Sequence, residues 1–156
     1  MRIHHVLLLA VLMFALPVLA EDQRIHAADG DKCPVCGMFV AKYPDFLAQV
    51  VFTDGSTAFF DGTKDMFKYL LDLQRYVPSK KAADIEKIHV TDYYSMNAID
   101  GRTAWYVVDS DVYGPMGKEL IPFGSEAEAK EFMTDHAGKR MLRFADIAPE
   151  LIGTLD

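Results

Sequence analysis

Between Phe46 and Arg75 the hydrophobic pattern changes period once, and that change limits the fold more than any other feature of the chain. Residues 46–52 are rich in β-branched and aromatic side chains and read as a strand. Thr53-Asp54-Gly55-Ser56 carries an Asp-Gly turn signal, and 57–60 reads as the second strand of a hairpin. From residue 64 the apolar positions move to helical spacing. Met66, Phe67, Leu70, Leu71 and Gln74 share one face of a helix over 64–75, which Asp61 or Thr63 can cap and Val77-Pro78-Ser79 ends.

The second half repeats the plan. Residues 104–108 read as a strand and 120–123 as a shorter one, and Gly124-Ser125 opens a helix over 126–136 with Ser125 as its cap. The two joints are alike: Phe60-Asp61-Gly62-Thr63 before Met66-Phe67, and Phe123-Gly124-Ser125 before Phe132-Met133. Residues 80–84 read as a linker, 85–94 as a strand containing His89, 140–144 as a strand, and 146–152 as a short helix. The expected fold class is α+β, made of two related small strand-strand-helix (ββα) units with antiparallel strands, the first over 33–79 and the second over 80–156. With 156 residues in all, the chain has room for one globular domain or two very small ones.

Residues 1–20 stand apart. Arg2 precedes an apolar run from Val6 to Phe14, and Val18 and Ala20 occupy the small-residue positions before a cleavage site, so a secretory signal peptide cleaved after Ala20 is expected. Val6 to Ala20 is shorter than the roughly 20 residues needed to span a bilayer. No cysteine follows the cleavage point, so no lipid and no stable membrane anchor are expected on the exported chain. Residues 21–32 are polar and read as a flexible lead in which His26 is a solvated histidine. With 16 Lys+Arg against 23 Asp+Glu, a formal charge of -7, the chain is not built to bind nucleic acid.

The chemistry concentrates in Cys33-Pro34-Val35-Cys36-Gly37-Met38, which holds the chain's only 2 cysteines. Two thiols three residues apart can chelate one soft ion, and Gly37 lets the backbone curl so that the Met38 thioether comes close. Cysteine with methionine favours Cu(I). A zinc ribbon would call for a second cysteine pair or for dimerisation. The same motif also suits a thiol-disulfide oxidoreductase cycling Cys33 and Cys36, or a plain structural disulfide. In a thioredoxin-like site, however, the motif follows a strand and opens a long helix, whereas here Tyr43-Pro44 interrupts any helix early. Met116, in Tyr113-Gly114-Pro115-Met116-Gly117-Lys118, stands in a polar hairpin loop without the periodicity of a core residue. Met66 and Met133 lie on apolar helix faces and read as core. His89 reads as a strand histidine satisfied by its neighbours, and His136 as a favourable charge at a helix C-terminus. No nucleophile triad, phosphate loop or paired-carboxylate signature is present, so no enzyme activity is expected.

Taken in order, Cys33-Pro34-Val35-Cys36-Gly37-Met38, Phe59-Phe60-Asp61-Gly62, Val90-Thr91-Asp92-Tyr93-Tyr94, Thr103-Ala104-Trp105-Tyr106-Val107 and Gly114-Pro115-Met116-Gly117 leading to Ile121-Pro122-Phe123 resemble the NosL family of nitrous oxide reductase accessory proteins. The resemblance covers nearly the whole exported chain. It implies a periplasmic Cu(I)-binding metallochaperone that helps assemble the copper-sulfide centre of nitrous oxide reductase. It matches Cys36-Gly37-Met38 to the family's Cys-Gly-Met signature and Met116 to its loop methionine, which ranks Cys36 and Met116 first as copper ligands, with Met38 and Cys33 next. Family members are commonly lipoproteins. The missing cysteine at the cleavage site departs from that pattern and opens the possibility of a copper carrier for another cuproprotein.

Overall fold

The computed structural model describes residues 23–156. The signal peptide and its cleavage after Ala20 lie outside the described residues. The hairpin and helix expected from the change of period are present as β1 (Ala48–Phe52), β2 (Thr57–Phe60) and α1 (Thr63–Leu71). Along β1 the residues Ala48, Val50 and Phe52 are buried while Gln49 and Val51 are not, as alternation on a half-covered sheet requires. The helix is shorter than expected. It breaks at Asp72, whose side chain accepts from Arg75 N to cap a separate turn, α2 (Leu73–Tyr76). The break resets the helical phase, so Leu73 is buried and Leu71, expected inside, is exposed.

The strand expected over 85–94 is β3 (Ile85–Thr91), followed by β4 (Ala98–Asp100), which the sequence reading missed. Both belong to the first sheet, in the order β2-β1-β3-β4, with every neighbour antiparallel. A boundary at residues 79/80 therefore cuts through this sheet, because the cross-strand partners of Gln49, Val50 and Val51 are His89, Ile88 and Lys87. Across that pair His89 Nδ1 lies 3.0 Å from Gln49 Oε1, the ordinary satisfied histidine that its alternation suggested.

The second sheet holds β5 (Trp105–Val108), β8 (Ile121–Phe123) and β9 (Arg140–Arg143) in the order β8-β5-β9. A small hairpin, β6 (Tyr113–Gly114) and β7 (Gly117–Lys118), rises between β5 and β8. It is followed by α3 (Glu126–Asp135), capped by Ser125 as expected, and the chain ends on α4 (Pro149–Gly153). The repeat is one strand longer than ββα. Strand, strand, helix, strand with the third strand on the far edge of the first describes both β1-β2-α1-β3 and β5-β8-α3-β9. The fold is α+β with antiparallel sheets.

β5 explains how the two halves join. Its run Trp105-Tyr106-Val107-Val108 is apolar throughout because the sheet is covered on both faces. Tyr106 and Val108 pack into the core shared with β1 and α1, where Tyr106 meets Phe67 edge to face at 5.2 Å, while Val107 packs with Ile121, Phe123 and Phe132 under α3. Met66 is fully buried in the first core and Met133 half-buried against the second, as their helical spacing indicated. Residues 23–32 are not the loose lead their polarity suggested. Ile25 is buried in the first core, Ala98 N donates to Gln23 O, and Lys32 bridges Phe39. His26 is exposed on this anchored stretch. Among the described residues no helix is long and apolar enough to cross a membrane.

Candidate metal centre

Burying a helix end is costly unless its free N–H groups find acceptors. In α1 the whole first turn is buried, together with Asp61 and Gly62 before it. Its N-cap is Gly62, which has no side chain to offer, so neither Asp61 nor Thr63 caps the helix. A buried carboxylate from elsewhere does so. Glu119, between β7 and β8, accepts through Oε1 from Lys64 N at 2.5 Å, Thr63 Oγ1 at 3.0 Å and Leu120 N at 2.9 Å. Full burial pushes the Glu119 carboxyl up to about 7, although these donors and the Lys64 ammonium oppose the rise. Asp92 does the same at the other joint, accepting from Gly124 N at 2.7 Å. Each half thus holds the helix entrance of the other with a buried acid.

With the cap supplied by Glu119, Asp61 and Asp65 are left to face the cysteine loop. That loop is a tight reversal. Cys33 N donates to Met38 O and Gly37 N to Cys33 O, both at 2.9 Å, and Gly37 sits at φ 79°, the left-handed region where glycine carries no penalty. The reversal turns both sulfurs toward α1. Cys33 Sγ donates to Asp65 Oδ2 at 3.4 Å and Cys36 Sγ to Asp61 Oδ1 at 3.2 Å. One ligand atom from each of Cys33, Cys36, Asp61 and Asp65 lies within 4.8 Å of all the others.

The electrostatics of this pocket are those of protonated thiols. Burial drives the Cys33 thiol far above its ordinary range, with the Cys36 and Val35 backbone N–H groups opposing. Burial also pushes Cys36 up to about 11, with the Met38 N–H opposing and hydrogen bonds to Asp65 and Asp61 adding to the rise. Backbone N–H groups aimed at sulfur stabilise thiolate once a cation replaces the thiol protons. Among the described residues, Asp61 Oδ2 is the buried side-chain oxygen or nitrogen without a hydrogen-bond partner. Such an atom costs free energy until a donor or a cation reaches it. Both cysteines are free thiols.

Of the residues singled out by sequence, Cys33 and Cys36 are brought together, the first buried and the second half-buried. Met38 is half-buried at the end of the same loop. Met116 sits apart in sequence at the tip of the β6–β7 hairpin, 46% exposed, and its carbonyl accepts from Lys64 Nζ at 2.8 Å, which places the tip against the first turn of α1. Asp61 and Asp65 were missed as donors. Asp61 reads from sequence as a candidate helix cap and Asp65 is not singled out at all, and only the folding of the cysteine loop onto α1 gives them this use. The signal that could have found them is the joint itself, where two acids, a threonine and a lysine crowd into five residues just ahead of an apolar helix face. An open groove between α1 and α4, lined by Val35, Lys68, Tyr76 and Ile152, passes beside the loop but includes none of the four donors.

Two thiols and two carboxylates form a mixed donor set. The sulfurs suit soft Cu(I), and all four together suit a borderline divalent ion such as Zn(II).

The family model described as NosL matches residues 24–152. The chain is 32% identical, over an alignment of 160 residues spanning 93% of it and 80% of the relative, to the copper-binding lipoprotein NosL of Stutzerimonas stutzeri. Its fold is similar to that of the crystal structure of the copper chaperone NosL from Shewanella denitrificans, with a TM-score of 0.67 at 26% identity, covering 82% of this chain and 98% of that one.

Proposed function

The chain belongs to the NosL family, and from that premise we propose that it is a metallochaperone that carries one Cu(I) on its sulfur donors and hands it to a copper-requiring protein outside the cytoplasm. The observation that carries the reading is the convergence of Cys33 and Cys36 on one pocket, at the foot of the helix against which the Met116 hairpin is held. Cys36 and Met116 are the first ligands in this account, with Met38 and Cys33 completing the set. The proposed acceptor is nitrous oxide reductase and the assembly of its copper-sulfide centre, with another cuproprotein as the alternative.

The delivery step is ligand exchange. A low-coordinate Cu(I) held by thiolate and thioether is open to an incoming donor from the acceptor, which adds before the chaperone's sulfurs leave. Each thiol that becomes a ligand gives up its proton. Asp65 and Asp61, already hydrogen-bonded to the sulfurs, lie on the path by which those protons leave. Met116 is the donor most open to solvent, which fits it to be the first to yield.

The thiol-disulfide alternative is disfavoured by the same groups. A reactive cysteine is made nucleophilic by a lowered pKa. Here burial acts in the opposite direction on both thiols, helped by Asp65 at Cys33 and by Asp65 and Asp61 at Cys36.

A second reading concerns the metal rather than the role. Two thiolates and two carboxylates bear four negative charges, of which a divalent ion offsets twice as much as Cu(I), and the unpartnered Asp61 Oδ2 favours an ion that accepts oxygen ligands. Metal analysis of protein purified anaerobically under reducing conditions decides between these readings. Copper lost in Cys36→Ser supports the first, zinc lost in Asp61→Asn the second, and a metal-free chain that fails to take up either ion overturns both.

A further inference from the structure

Lys64 is a lysine only 2% exposed, in the first turn of α1. Burying an ammonium is expensive unless its donors are all used, and an apolar side chain would fill such a place at less cost. Its donors are used in an informative way. Nζ donates to Met116 O at 2.8 Å and to Leu155 O at 3.0 Å, and lies 3.7 Å from Asp156 Oδ1. The same residue's backbone N–H is held by Glu119. One residue of α1 therefore grips the β6–β7 hairpin at its tip through the side chain and just beyond its end through the backbone.

Two glycines make room for the second grip. A Cβ on Gly62 would come 2.1 Å from Glu119 Oε2 and one on Gly114 would come 3.0 Å from it, so the carboxylate is clasped between the hairpin and the helix entrance. Met116 itself is 46% exposed, and Tyr113 at the start of the hairpin is 63% exposed. Apolar burial therefore does little to fix the tip, and the polar clasp is what can. Asp65, one residue after Lys64, accepts the hydrogen bond of Cys33.

We propose that Lys64 is a positioning residue for metal binding: its ammonium, with the Glu119 clasp, fixes the Met116 thioether relative to the two thiols, so that sulfur from both halves of the chain meets one ion. This rests on Met116 being a Cu(I) donor. The mutations that test it are Lys64→Leu, which stays apolar in the buried place and loses the donor without adding a thioether, and Met116→Ala, alone and combined, with Cu(I) affinity measured by chelator competition on the full chain and folding checked by circular dichroism. Outer-shell changes of this kind weaken metal binding by about 10- to 100-fold. Lys64→Leu is expected to match the loss caused by Met116→Ala, and the double variant to be no weaker than Met116→Ala alone.

If Lys64→Leu weakens copper binding by the same factor in the Met116→Ala background, its effect does not pass through Met116 and the proposal is overturned. If Met116→Ala alone changes nothing, the ligand assignment fails instead, which is a different result. Should Lys64→Leu not fold, the wild-type chain still decides. The backbone order parameter at Met116 is expected near about 0.85, as in a fixed element, and a value below about 0.6 would overturn the clasp.

Discussion

Gly62→Ala isolates the clasp at the entrance of α1 from every backbone effect. Gly62 has φ -169°, extended backbone that alanine adopts freely, so its cost comes from space alone. The new methyl would lie 2.1 Å from Glu119 Oε2 and 3.1 Å from its Cδ. Ordinary contacts are about 3.5 Å, so the carboxylate or the helix entrance has to give way by more than roughly 1 Å. Glu119 Oε1 is held by three donors and cannot move that far without loosening at least one. Overpacking costs about 1–3 kcal/mol and a hydrogen bond to a charged group about 1.5–3 kcal/mol, so a destabilisation of about 3 kcal/mol is expected. With a urea m-value of about 2 kcal/mol/M, that moves the unfolding midpoint down by about 1.5 M with m unchanged. Gly124→Ala is the internal control. It stands at the corresponding joint of the other half, where the nearest neighbour of a new Cβ is Asp92 Oδ2 at an ordinary 3.6 Å, and it is expected to cost under about 1 kcal/mol. Equal midpoints for the two variants would refute the reasoning.

Three further outcomes are expected. Glu119 has its carboxyl raised from 4.5 to about 7, so the folded form binds the proton more tightly than the unfolded one. Stability from this group is full below pH 4.5 and falls by on the order of 3 kcal/mol as the pH rises through 7; Glu119→Gln should flatten that slope in urea titrations at successive pH values, and an unchanged slope would count against it. Alkylation of Cys36 by iodoacetamide in the metal-free protein should keep accelerating past pH 9 toward a midpoint near 11, with Cys33 slower still because it is buried; saturation by pH 9 in rate measurements would contradict the burial argument. Asp72→Ala removes the cap of α2 and should lower thermal stability by about 1 kcal/mol in calorimetry, with copper binding unchanged.

The local chemistry of this fold is legible in the sequence where one residue acts on its neighbours. The β1–β2 hairpin, the Ser125 cap and the core positions of Met66 and Met133 are of this kind. What the sequence hides is long-range. The strand at 85–91 looks like the start of a second unit because it follows a linker, and only pairing with β1 assigns it to the first sheet. Likewise the cap of α1 comes from Glu119, more than fifty residues away, which no local capping rule can see. Cys33 and Cys36 declare themselves by spacing and by soft sulfur. Asp61 and Asp65 do not, since an acid near a helix start has an adequate local explanation in the helix dipole. Their place in the pocket depends on the cysteine loop folding back on α1, a contact between segments separated by about thirty residues.

The central claim is that sulfur donors from the cysteine loop and the Met116 hairpin hold a single Cu(I). Anaerobic titration of the reduced protein against a competing Cu(I) chelator, for wild type, Cys36→Ser and Met116→Ala, tests it most directly. One Cu(I) per chain is expected, with affinity sharply reduced in Cys36→Ser and measurably reduced in Met116→Ala; equal affinity in all three proteins would contradict it.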